Sequence, residues 1–315
     1  MANVKANRQT VQLTALALRR AGWLALIYIV LIFVLPANEA TLRTHHLSAW
    51  QYRLTLLAVT LPLVLAWVVA FVGYARLREY VQLVRKTPEG VHFDKLATGT
   101  AWLAWSLPLP AIVVLLLGGL ANHWPGFYAT SIIISNYLEL ALPLVAFSII
   151  GVASRGLVNQ AKLKISLLSS RLIMLLLLAA GVLYCYLAFQ HLDLSSLGST
   201  HNPYFLPLWL MVLSLIIPYL YAWFVGLVAA YEITLFSRQT TGVLYHQALR
   251  LLALGLVVII ASSIAQQYIS GVQPRTNHLI FGYHMVLSSI FYVLSGVGFA
   301  LLAIGANRLK KIEEI

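Results

Sequence analysis

With 315 residues, 61% of them hydrophobic and only 10% charged, the chain lies outside the soluble range of roughly 45–50% apolar and about 25% charged. It reads as an all-α integral membrane protein, whose backbone must satisfy its hydrogen bonds within helices because lipid offers no partners. The single cysteine, Cys185, excludes an intrachain disulfide scaffold, and the net charge of +12 must be tested against membrane orientation before nucleic acid is considered.

A crossing helix needs about 20 mostly apolar residues. Eight segments approach or meet that length, predicting a bundle of about eight transmembrane helices in one polytopic domain over residues 21–306. Residues 1–20 form a basic cytoplasmic segment and residues 307–315 a short cytoplasmic tail. The first span covers 22–35. Arg19 and Arg20, the short apolar run and then Pro36-Ala37-Asn38-Glu39-Ala40 also resemble a signal peptide, whose removal would leave seven spans. The long charged region ahead of it and the poor small-x-small match before Ala40 favour retention.

The second span, 54–75, carries Pro62 and follows His45 and His46 in an outer loop. The third, 96–120, contains Pro108 and Pro110, whose spacing makes a continuous helix difficult; His123 follows it. The fourth, 131–153, holds Asn136, Glu139 and Pro143. Glu139 is the one acidic residue inside a predicted span, in its outer part. A charged carboxylate there costs about 2.5–3.5 kcal/mol, so it should face the bundle interior or be protonated, and it is a functional candidate by default. Asn136 lies three residues earlier on the same side of the helix, and Pro143 disturbs the backbone four residues later.

The fifth and sixth spans are 172–189 and 206–231, the latter with Pro218. Leu61-Pro62-Leu63-Val64-Leu65-Ala66-Trp67 and Ile217-Pro218-Tyr219-Leu220-Tyr221-Ala222-Trp223 share Pro, Ala and Trp at the same offsets, and Leu142-Pro143-Leu144-Val145-Ala146-Phe147 keeps part of the pattern. Duplication of a hairpin or of a four-helix half would produce this. The second and sixth spans run in the same direction, so the repeat would be parallel, about an axis along the membrane normal. Convergence on residues common in membrane helices is the alternative. The seventh span, 249–269, ends near Gln266 and Gln267, which would meet Glu139 at similar depth if their helices are neighbours. His278 and His284 precede or open the eighth, 285–306.

A cytoplasmic N-terminus puts 18 of the 21 Lys and Arg residues on one side, leaving Arg43, Arg53 and Arg275 opposite. The asymmetry recurs in every loop pair, as the positive-inside rule requires. Both termini are therefore predicted to be cytoplasmic, in a prokaryotic plasma (inner) membrane. Insertion and contact with anionic lipid at the cytoplasmic face account for the basic excess without a nucleic-acid partner. His45, His46, His123, His278 and His284 share the outer side with His191 and His201, where imidazoles bind metal or sense acidification. No pair has the spacing of a helical metal motif, and outer loops need polar residues that are not Lys or Arg.

Pro62, Pro108, Pro110, Pro143 and Pro218 are read as helix-break positions that open backbone to a cavity, against simple tolerance of proline in membrane helices. There is no phosphate loop, His-Glu-x-x-His or Gly-x-Ser-x-Gly. The last span lacks a lysine for a retinal Schiff base, and no histidine sits within a span to ligate haem. Catalysis is disfavoured and no cofactor is identified. The reading that follows is a transporter of a small solute or cation, with Glu139, Asn136, Gln266 and Gln267 as ligand-binding residues. A sensor or receptor signalling through protein contacts and a non-catalytic assembly factor are the alternatives. Mass spectrometry of the membrane-extracted chain is expected to return the full-length mass; a species beginning after Ala40 would leave seven spans.

Overall fold

The computed structural model describes residues 2–35, 48–120, 126–163, 171–179, 181–182, 208–239, 242–271 and 280–314. All regular secondary structure among them is helical: α1 (Ala2–Val34), α2 (Ala49–Val84), α3 (Gly90–Trp105), α4 (Pro108–Leu120), α5 (Gly126–Gln160), α6 (Leu208–Gln239), α7 (Val243–Gly271) and α8 (Ile280–Glu313). Residues 171–179 and 181–182 are also helical. Seven stretches among the described residues are long and apolar enough to cross a membrane, with α3 and the first part of α4 together making one of them. The chain is thus a multi-pass helical membrane protein. Of the fifth predicted span, residues 180 and 183–189 lie outside the described residues.

Local chemistry sets several boundaries. α2 opens on a capping box in which the Gln51 N–H donates to Ser48 Oγ at 3.2 Å and the Ser48 N–H donates to Gln51 Oε1 at 2.9 Å, satisfying donors that a helix start leaves open. The prolines behave in two ways. α3 ends at Trp105 and α4 starts at Pro108, because Pro108 and Pro110 remove two backbone donors within three residues. At that break the Ser106 N–H and hydroxyl return to the Leu103 carbonyl. By contrast α2, α5 and α6 continue through Pro62, Pro143 and Pro218. A lone proline costs a helix one hydrogen bond and a local clash, which packing on both sides of the residue outweighs here.

Six helices form a closed circuit: α2 packs on α3, α3 on α5, α5 on α6, α6 on α7, α7 on α8, and α8 returns to α2. α1 docks along α2, and α4 lies against α5. The N-terminal ends of α1, α3 and α7 share one end of this ring with the C-terminal ends of α2, α5, α6 and α8. Side-chain bonds from Thr14 to Glu79, Arg78 to Asp94, Ser154 to Glu232, Tyr80 to Tyr245 and Lys310 to Glu79 tie them together. Outward faces are apolar, as at Val145, Val152, Leu175 and Val293, and Trp23, Trp50 and Trp102 are exposed. The aligned pairs Ala66-Trp67, Ala146-Phe147 and Ala222-Trp223 are all buried.

Close packing depends on glycine at two antiparallel contacts. A Cβ on Gly99 of α3 would lie 2.5 Å from Ile150 Cγ1 and 2.9 Å from the Ala146 carbonyl oxygen of α5. One on Gly255 of α7 would lie 2.7 Å from the Gly298 carbonyl oxygen and 2.9 Å from Leu302 Cγ of α8. In lipid, helices associate by such close backbone approach because apolar burial between them gains little over lipid. Gly255→Val is therefore expected to destabilise the protein by about 1–3 kcal/mol, the usual cost of overpacking, measured by unfolding in detergent. Gly22→Val, at a position with nothing within 4 Å of its Cβ, should have little effect.

Candidate functional site

Glu139 lies on the stripe of α5 formed by Ser135, Glu139, Leu142 and Ala146, whose other members are buried, while Ile134, Tyr137 and Val145 face outward. The spacing of four, three and four residues keeps that stripe on one side of a helix, so the carboxylate points into the bundle. The Ser135 hydroxyl hydrogen-bonds to it from the preceding turn. Pro143 has no N–H to give the Glu139 carbonyl, so this turn presents a main-chain oxygen without its usual donor four residues on. Tyr292 of α8 is within electrostatic range of both Glu139 and Tyr28 of α1. Tyr28 is hydrogen-bonded with Thr60 of α2 and packs edge-on against Trp67 at 5.3 Å between ring centroids. Trp67 is fully buried and its indole N–H has no hydrogen-bond partner. Carboxylate, phenols and indole thus come from four helices, α5, α8, α1 and α2.

The other sequence candidates separate from this group. Gln267 donates through Nε2 to the Tyr219 hydroxyl of α6 at 3.1 Å, and α6 lies between α7 and α5 in the ring. Gln266 is partly buried and engaged in an interaction of its own. Asn136 is in α5, but its side chain lies outside the described residues, as does that of His284 in α8. His45, His46, His123 and His278 also lie outside the described residues. Among the described residues no three His, Cys, Asp or Glu side chains converge as a metal site would require.

A second polar layer joins the helices at the end where the basic residues collect. Glu79 of α2 is 0% exposed; its carboxylate accepts from Thr14 of α1, from Arg76 at 3.0 Å and from Lys310 of α8 at 3.1 Å. Glu232 of α6 is 1% exposed and accepts the Ser154 hydroxyl of α5 at 2.6 Å. Arg155 Nε stands 3.0 Å from Glu232 Oε1 without the alignment of a hydrogen bond. Tyr80 of α2 and Tyr245 of α7 share a hydrogen bond of 2.9 Å, and Tyr80 packs edge-on against Phe93 of α3. Arg78 pairs with Asp94 of α3, and Ser237 O meets His246 Nδ1 at 2.7 Å. Glu139 is 15 residues from Ser154, about 22 Å along α5 at 1.5 Å per residue, so the two layers are well separated.

The buried pair Glu79 and Glu232 corrects the expectation that Glu139 is the one acidic residue within the membrane-crossing body. Helices α2 and α6 run on to Val84 and Gln239, past the predicted ends at 75 and 231, and carry both carboxylates into protein contacts. A hydropathy window stops at the first charges, whereas the helical period does not. The buried stripe Ala222, Ala229, Ile233 and Phe236 continues beyond the apolar window and is the signal that locates Glu232.

No protein-family model, curated protein or solved structure matches this chain. The chemistry of the two layers therefore carries the functional argument alone. Breaking a buried ion pair from one side is expected to cost about 3–5 kcal/mol, so Lys310→Met should destabilise strongly. A double-mutant cycle with Glu79→Gln should give a coupling of about 0.5–3 kcal/mol in detergent unfolding; additivity of the two changes would show that the pair is not coupled.

Proposed function

We propose that this polytopic membrane protein transports a small cation or amine-bearing solute across a prokaryotic plasma membrane, with its basic end in the cytoplasm. The observation that carries this reading is Glu139, a core-facing carboxylate on an apolar helix, on the turn where Pro143 withholds a backbone donor. Intramembrane carboxylates that face a bundle interior mark ion and substrate paths. The carboxylate and the carbonyl of this turn are oxygen ligands of the kind hard cations take. Tyr28, Trp67 and Tyr292 are aromatic groups of the kind that attract an ammonium.

The ring also suits alternating access between two parallel halves, α1 to α5 and residues 171 to α8. Pro-x-x-x-Ala-Trp recurs from 62 to 218 and glycine from 99 to 255, both 156 residues apart. Gly99 meets the last helix of its half, α5, as Gly255 meets the last helix of its own, α8. The contacts of α2 with α8 and of α6 with α5 are then the two seams between halves. Each has one buried glutamate facing a basic side chain at the same end, Glu79 with Lys310 and Glu232 with Arg155. These seams and the Tyr80–Tyr245 bond close the cytoplasmic end, leaving Glu139 nearer the outer side. Rocking of one half against the other around a fixed site is the motion that parallel repeats permit.

In proteoliposomes, uptake of protons, sodium or small amines is expected to be lost in Glu139→Gln, with the variant still folded by its unfolding midpoint. Full flux in that variant would remove the site. Absence of flux for the whole panel would transfer the argument to the sensor and assembly readings.

A further inference from the structure

A groove of about 730 Å³ opens between α1, α2 and α3 at the end of the bundle where the basic residues collect. That volume is within the roughly 300–1,000 Å³ of sites that hold whole small molecules. Its walls divide by chemistry. Phe71 and Trp105 are among the apolar groups toward mid-membrane, while Arg20, Arg78 and Arg85 bring three guanidinium groups against the single carboxylate of Asp94. Asp94 is already paired with Arg78. Neither Arg20 nor Arg85 makes an ion pair with a described residue, so the groove holds two cationic side chains without a counter-charge among the described residues.

Depth makes this imbalance informative. Thr14 is level with Glu79 through their hydrogen bond, and Arg20 lies six residues further along α1, about 9 Å deeper at 1.5 Å per residue. A guanidinium at that depth is costly unless it meets a counter-charge or reaches the interface. α1 packs mainly on α2, and α3 is not among the helices it packs against extensively, so the groove is open where α1 and α3 would otherwise meet.

The geometry points to this groove as a binding site for one anionic phospholipid of the cytoplasmic leaflet. Arg85 at the rim and Arg20 deeper in the groove flank the charged headgroup from its two ends, and the acyl chains run along Phe71 and Trp105. Guanidinium forks match phosphate oxygens in pairs, and the apolar wall supplies what a free phosphate does not need. Bound lipid fills the gap between α1 and α3 and holds the first helix on the ring. This site is separate from Glu139 and does not rest on the transport reading.

The test is lipid binding by purified full-length protein in detergent, followed by native mass spectrometry and thermal unfolding with phosphatidylglycerol or phosphatidylcholine. The wild type should retain phosphatidylglycerol and be stabilised by it over phosphatidylcholine. Arg20→Gln/Arg85→Gln should bind it roughly 30-fold more weakly, from the contribution of two basic residues at an anionic surface. Arg238→Gln/Arg250→Gln, at exposed basic positions outside the groove, should bind as wild type. Equal loss in both double variants would show diffuse surface attraction and overturn the site. An equal thermal shift from inorganic phosphate would overturn the lipid assignment in favour of a soluble anion.

Discussion

Glu79 is completely enclosed where α1, α2 and α8 meet, and an ionised carboxylate withdrawn from water is stable only with charge and hydrogen-bond partners around it. Thr14, Arg76 and Lys310 supply them from three helices. This contact brings the first, second and last helices of the chain to one point, 231 residues apart between Glu79 and Lys310. The ring of helices closes only because α8 returns to α2. Since apolar burial does not hold helices together in lipid, such polar junctions and close glycine contacts provide much of the specificity of the arrangement.

From that closure the placement of the other groups follows. With α8 fixed against α2, Tyr292 is carried to the vicinity of Tyr28 and Glu139. α7 is carried beside α6, where Trp223 Nε1 donates to Ser263 Oγ at 3.1 Å, and Ser262 and Ser295 bond at 2.9 Å across the α7–α8 contact. Two regions of different chemistry result. One end is dense in paired charges and tyrosine hydroxyls. The rest of the bundle carries Glu139 among uncharged hydrogen-bonding groups such as Ser135, Thr60, Ser262 with Ser295, and Gln267 with Tyr219. A carboxylate without compensating ions nearby discriminates by charge far more sharply than one among them, and the proposed transport role uses this contrast.

α1 occupies a distinct position. It is bound to the ring by a single neighbouring helix along most of its length and by the Thr14–Glu79 bond at its inner part. The arginine-lined groove beside it sets apolar and cationic surface side by side, and α1 also contributes Tyr28 to the group around Glu139.

Hydrophobic content and the run lengths of apolar residues were enough to read a multi-pass helical protein from the sequence, because the bilayer demands that every spanning backbone be helical. The pair Pro108 and Pro110 likewise announced a break, since two missing donors within one turn cannot be absorbed. The cost of exposing a carboxylate to lipid made Glu139 a group expected to face the interior or be protonated, and it is half-buried on the stripe with Ser135, Leu142 and Ala146. The rest of the chemistry was not legible in the sequence. Glu79 and Glu232 read as loop residues because a charge ends an apolar window, and only the partners Lys310 and Ser154, brought from other helices, turn them into buried groups. Continuity through Pro62, Pro143 and Pro218 was likewise decided by packing on either side. Which helices touch is a matter of small-residue contacts such as Gly255 with Gly298, which hydropathy does not register; local sequence determined that helices form, and their three-dimensional packing decided which polar groups meet.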